Sequence, residues 1–80
     1  MIGTPYYVSP ELVNEEKYSY KSDVWAIGCV LYELCYLKRA YDGKNIYEIA
    51  KKICKDKPSF NHFKYSKELL KLIKALLKRN

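Results

Sequence analysis

The sequence predicts an all-α chain, on three observations. Apolar residues recur at helical spacing in two segments and fill a third almost continuously; a residue able to cap opens each segment; and no stretch shows the polar-apolar alternation of a half-buried strand. No internal repeat or low-complexity tract interrupts this pattern.

Residues 1–8 combine glycine, proline and paired tyrosines without helical period, which predicts an extended loop. Ser9 then offers an N-cap with Pro10 at N1, where a missing N–H costs nothing, and Glu11 near the positive end of the dipole; a short helix over 9–14 follows. The polar residues 15–21 read as a connector. Ser22 is the expected N-cap of a helix over 22–37. Within it, from Val24 to Leu37, Glu33 is the only charged side chain, so the helix is apolar nearly all round and expects neighbours on every side. It is too short for a membrane span, which needs about 20 residues. After the Asp42-Gly43 turn, Asn45 and Glu48 have capping-box spacing and open a helix over 45–56, with Ile46, Ile49, Ala50 and Ile53 on one face and Pro58 beyond its end. Ser66 caps the last predicted helix, 66–79. Lys67, Lys71, Lys74 and Lys78 line one edge of it, opposite Leu69, Leu70, Leu72, Ile73, Leu76 and Leu77.

At 80 residues the chain allows one small domain at most. Its net charge of +6 is uneven: residues 1–50 carry five Lys/Arg against seven Asp/Glu, and residues 51–80 carry ten against two. Cys29, Cys35 and Cys54 form no CxxC pair and are odd in number, which argues against a disulfide framework and for reduced, structural thiols in an intracellular protein, cytoplasmic or nuclear. No metal is assigned to them. The N-terminal MIGTPYY lacks the charged and apolar regions of a signal or transit peptide.

Two motifs carry the functional reading. Gly3 to Glu11 read GTPYYVSPE, and Asp23 opens DVWAIGCVLYEL; LKRAYDG and a terminal LLKRN follow. In this order they resemble the C-terminal lobe of eukaryotic protein kinases, and within them the NIMA-related serine/threonine kinases. The resemblance covers nearly the whole chain and implies a partial protein kinase domain over 1–80. Residues 1–14 would be the end of the activation segment, with its P+1 loop and with Ser9-Pro10-Glu11 in place of the family's APE. Residues 22–37 would be the buried central helix F, 45–56 helix G and 66–79 helix H.

The resemblance also implies roles. Thr4 would be the P+1-loop threonine of a Ser/Thr kinase, its hydroxyl supporting the catalytic-loop Asp and Lys; Tyr6, Tyr7 and Val8 would line the pocket for the substrate residue after the phosphosite. Ser9, Pro10, Glu11, Asp23, Trp25 and Gly28 would be structural. Glu11 would pair with an arginine beyond helix H, which does not occur before Asn80. Asp23 would accept from catalytic-loop amides, Trp25 would pack below the activation segment, and Gly28 would permit close approach of neighbouring backbone.

Other parts of the kinase machinery do not occur in these 80 residues. With glycine only at positions 3, 28 and 43 there is no Gly-rich phosphate loop; the sole histidine, His62, precedes Phe63, so there is no HRD; and no DFG is present. The expectation is therefore a parent kinase using ATP and Mg²⁺ to phosphorylate Ser or Thr of protein substrates, with the ATP-binding part N-terminal to Met1. The chain itself is expected to bind no cofactor and to be inactive alone, its partners being protein substrates and the remainder of the kinase domain, with no specific nucleic acid. Two other classes were weighed. A small basic helical module binding an anionic partner would use the lysine stripe, but the stripe lacks the arginines and interleaved aromatics of nucleic-acid readers. A pseudokinase-like scaffold would use uncovered apolar surface.

Overall fold

A computed structural model describes residues 5–79 and places four helices there: α1 (Pro10–Val13), α2 (Tyr20–Tyr36), α3 (Ile46–Lys55) and α4 (Lys67–Leu76). No strand occurs among the described residues, in keeping with the all-α expectation. α2 packs against α4, and α1 packs against α3.

The helix order matches the sequence reading, while the bounds of α1, α2 and α4 move for local reasons. α2 begins at Tyr20, and its N-cap is Ser19, not Ser22. Ser19 Oγ accepts from Lys21 N at 3.2 Å, and Ser22 Oγ accepts from Ser19 N at 3.3 Å. The two serines thus form a reciprocal capping box, with Ser22 in its N3 half. α4 stops at Leu76, three residues before the expected end, because its last turn tightens to a Lys78 N to Ala75 O bond. α1 is shorter than expected as well. It ends in a Schellman motif in which Glu15 adopts φ 59° while Glu16 N bonds Glu11 O and Glu15 N bonds Leu12 O.

The other caps follow the sequence. Asn45 Oδ1 accepts from Glu48 N at 2.9 Å, and Ser66 Oγ accepts from Leu69 N at 3.1 Å. α2 ends with Leu37 in the left-handed region, φ 57°. Gly43 is required where it stands, since a Cβ there would lie 2.8 Å from Glu48 Cβ at the start of α3.

The core joins Trp25, Cys29 and Tyr32 of α2 to Ile49 and Ile53 of α3, Ile73 of α4, and the flanking Tyr41 and Leu77. The residues contributed by α2 are spaced i, i+4, i+7, so they occupy one face. On the other face Ile27 is 53% exposed, Val30 46% and Leu34 64%. The expectation that this helix is buried on every side is therefore corrected: among the described residues α4 and other parts of the fold cover the Trp25–Tyr32 face alone. Two tyrosines of α2 also tie down the connection to α4. Tyr32 Oη donates to Ser59 O at 2.6 Å and Tyr36 Oη to Asn61 O at 3.1 Å; Phe60 meets Tyr32 edge-on, and Phe63 packs at Tyr36. His62 is exposed in this connection with φ 56°.

Candidate functional site

The residues expected to face substrate are Thr4, Tyr6, Tyr7 and Val8, followed by the structural Ser9, Pro10 and Glu11. Thr4 lies outside the described residues. Pro5 is buried, and a Val8 N to Pro5 O bond of 3.3 Å closes a turn that puts Tyr6 and Tyr7 at its tip. Each tyrosine is held by a residue from α2 or just after it. Tyr7 Oη donates to Glu33 Oε1 at 2.6 Å. The Arg39 guanidinium carbon stands 3.8 Å from the centre of the Tyr6 ring, within cation-π range.

Electrostatics reinforces this placement. Hydrogen bonding to Glu33 raises the Tyr7 phenol above its ordinary 10.0, with slight burial and the Glu33 charge adding to the effect and Arg39 opposing it. Tyr7 therefore stays a neutral donor at neutral pH. Val8, half-buried, follows directly and leads into the Ser9 cap.

Ser9 is fully buried, yet its Oγ makes no capping bond and has no partner among the described residues; its carbonyl serves the helix, accepting from Leu12 N and Val13 N. Its expected side-chain cap is thus absent. Pro10 stands at N1 as expected. Glu11 is half-buried, and its Oε2 accepts from Ser22 Oγ at 3.0 Å. Ser22, already in the α2 capping box, therefore ties the end of the loop to the start of α2. Pro10 and Glu11 also line a small cleft of about 70 Å³ with Trp25, Leu76 and Arg79.

Asp23 is exposed in the first turn of α2, where its charge suits the helix dipole. Its hydrogen-bonding interaction with Tyr18 raises that phenol above 10.0. Trp25 is 2% exposed and stacks on Tyr41 at 5.4 Å, with the Arg79 guanidinium 5.8 Å from its ring; its Nε1 has no partner. At Gly28 a Cβ would lie 2.8 Å from Leu77 Cδ2 and 2.9 Å from Leu76 Cβ, so α2 and α4 approach there at glycine distance.

Sequence reasoning missed Glu33 and Arg39 as holders of the loop. Glu33 had a signal, since a single charge in an apolar helix requires a partner. It also missed Arg79, whose Nε donates to Ile53 O at 2.8 Å and whose Nη2 donates to Lys52 O at 3.1 Å and to Asp56 O, capping the C-terminus of α3.

Among the described residues no three His, Cys, Asp or Glu side chains gather into a group that could hold a metal ion, and the three glycines are scattered along the sequence. No helix among the described residues is long and apolar enough to cross a membrane.

The model of the protein kinase domain family matches residues 1–80. Similar curated proteins are the G2-specific protein kinase fin1 of Schizosaccharomyces pombe, 42% identical over 99% of this chain and 11% of its own length, and the serine/threonine-protein kinase Nek4 of Mus musculus, 46% identical over 99% of this chain and 10% of its own. Serine/threonine-protein kinase Nek1 of Mus musculus is 47% identical over 99% of the chain and 7% of its own length. The chain thus spans about a tenth of the curated relatives it matches, and they agree with the NIMA-related likeness of its motifs. With an all-helical architecture and a family match along its full length, the chain belongs to the protein kinase domain family, as a piece of the C-terminal lobe.

Proposed function

We propose that these 80 residues supply the substrate-docking base of a serine/threonine protein kinase, and that phosphoryl transfer requires ATP, Mg²⁺ and a catalytic Asp contributed by sequence outside them. The observation that carries this reading is the pinned loop: Tyr7 on Glu33 and Tyr6 under Arg39 fix the backbone leading to Val8 and Ser9. Phosphoryl transfer depends chiefly on positioning, so a loop fixed from below is the contribution a docking base makes. In this reading Thr4, Tyr6, Tyr7 and Val8 meet the protein substrate, and Ser9, Pro10, Glu11, Asp23, Trp25 and Gly28 hold the frame. The exposed face of α2, with Ile27, Val30 and Leu34, receives the remainder of the kinase domain. The isolated chain binds no nucleotide and transfers no phosphate, and the parent works inside the cell.

The test is a chimera in which residues 1–80 replace the matching segment of a Nek-type kinase. Retained phosphorylation of a protein substrate on Ser or Thr supports the reading, and loss of activity in a folded chimera counts against it. Phosphate transfer by the isolated chain with Mg-ATP would show that the missing machinery is not needed.

A further inference from the structure

The lysine stripe of α4 does not behave as one surface. Lys74 and Lys78 turn into a cavity of about 500 Å³ between the end of α4 and the connection that follows α3, whereas Lys67 and Lys71 lie outside it. Lys57, in the connection that follows α3, also lines it. All three of these lining ammonium groups belong to exposed residues, so their charges stay hydrated and able to engage a ligand. Behind them sit Tyr41, Phe60 and Leu77, an apolar back wall supplied by other parts of the fold. Lys74 Nζ is 5.3 Å from the centre of the Phe60 ring, a cation-π contact that holds the charge at the wall.

Two further features define what would fit. No acidic side chain lines the cavity, and the one arginine that does, Arg79, already donates to the carbonyls at the end of α3. The free positive charge therefore comes from three lysines surrounding one concavity, whose volume lies in the range of small-ligand pockets. A bare inorganic anion would leave most of that volume and the apolar wall unused. A nucleic-acid backbone needs a continuous basic track, yet here the stripe divides, with half of it outside the cavity.

We propose that this cavity is a docking site for a phosphorylated side chain of a protein segment, the phosphate dianion meeting Lys57, Lys74 and Lys78 and the adjoining peptide lying against Phe60, Leu77 and Tyr41. The site lies apart from the Tyr6–Tyr7 loop and does not depend on the catalytic reading given above.

The experiment titrates the chain, at low micromolar concentration and about 0.15 M salt, into fluorescein-labelled peptides and follows anisotropy. The probes are a phosphotyrosine peptide, a phosphoserine peptide, their unphosphorylated forms and a DNA oligonucleotide, with inorganic phosphate as competitor. Saturable binding of a phosphorylated peptide is expected, with little binding of its unphosphorylated form and weak competition by inorganic phosphate. Lys74→Gln/Lys78→Gln should weaken it roughly tenfold, the effect of losing about 1.4 kcal/mol. Lys67→Gln/Lys71→Gln removes the same charge from α4 but outside the cavity, and should change it by less than about twofold. All four positions are exposed, and far-UV circular dichroism checks that helix content is unchanged. Equal weakening by both pairs, full displacement by inorganic phosphate, absence of saturable binding, or preferential binding of a DNA oligonucleotide would each overturn the proposal.

Discussion

Tyr7 and Glu33 stand 26 positions apart in sequence and 2.6 Å apart in the fold, where the phenol donates to the carboxylate. The bond joins the Tyr6–Tyr7 loop to the middle of α2, so the rigidity of the one is borrowed from the other. Glu33→Gln should therefore lower the Tyr7 pKa toward 10.0, because the raising interaction is removed. Because Tyr7 is exposed and water competes for its hydroxyl, Tyr7→Phe should cost less than about 1 kcal/mol of stability. The main effect of either change should fall on the loop, as faster amide exchange over residues 5–9 with α4 unaffected. A Tyr7 titration identical in wild type and Glu33→Gln would refute the contact.

Gly28→Ala should destabilise the chain by about 1–3 kcal/mol, the usual range for overpacking. The added methyl would meet Leu76 Cβ at 2.9 Å, an atom fixed to the α4 backbone, as well as the movable tip of Leu77 at 2.8 Å. Relief thus requires α4 to shift away from α2. A urea midpoint unchanged from wild type would show that the helices are not held at this distance.

The sequence made some of these relationships readable and concealed others. Helix order, the Asn45 and Ser66 caps and the close approach at Gly28 could be read because each depends on local chemistry or on a residue type with few uses. Ser19 was passed over because Tyr18, Ser19, Tyr20 and Lys21 look like a connector; the capping box uses Ser22, a serine where Glu or Gln is the usual partner. Arg79 was hidden for a different reason: its acceptors are backbone carbonyls of Lys52, Ile53 and Asp56, and carbonyls leave no trace in residue identity. The division of the α4 lysines also arises from tertiary placement, since Phe60 and Tyr41 come from separate loops.

Alkaline conditions should weaken the fold in steps. Burial, assisted by the Glu33 charge, pushes the Cys29 thiol from an ordinary 9.0 up to about 12. Tyr41 is raised further above its ordinary 10.0 by burial, with Arg79 partly opposing the shift. In both cases the unfolded group loses its proton first. The stability they contribute is therefore complete below about pH 9 and is lost as pH rises toward the folded values, by up to about 1.4 kcal/mol per pH unit and group. Cys29→Ala should move the onset toward pH 10, where the unfolded tyrosine begins to ionise. Urea midpoints measured from pH 7 to 11 test this, and a flat profile would contradict the burial of both groups. At pH 8 the half-buried Cys35 and Cys54 should alkylate well before Cys29.

Arg79→Lys should lose most of what the arginine provides. The guanidinium fork reaches three carbonyls at the end of α3 and also lies 5.8 Å from the Trp25 ring. A lysine ammonium cannot span that set in one plane. A loss of about 2–3 kcal/mol is expected for Arg79→Ala, in the range for hydrogen bonds from a charged donor, with Arg79→Lys recovering less than half. Thermal unfolding of the three proteins provides the comparison. Full recovery by lysine would mean that charge alone, acting on the α3 dipole, accounts for the effect.

Ser9→Ala should run against the usual rule for helix caps. Replacing an N-cap serine by alanine ordinarily costs about 0.5–2 kcal/mol because a side-chain bond to the helix is lost. Ser9 makes no such bond: its hydroxyl is fully buried and has no partner among the described residues, so removal relieves a desolvated polar group at the cost of one small atom of packing. The backbone bonds from Leu12 and Val13 to the Ser9 carbonyl are unaffected by the change. The expected outcome is a stability equal to wild type or about 1 kcal/mol greater, measured as a shift in urea midpoint with unchanged slope. A loss of a kilocalorie or more would show that the hydroxyl has a partner, and that the end of the loop is secured by a bond at Ser9 in addition to the one between Glu11 and Ser22.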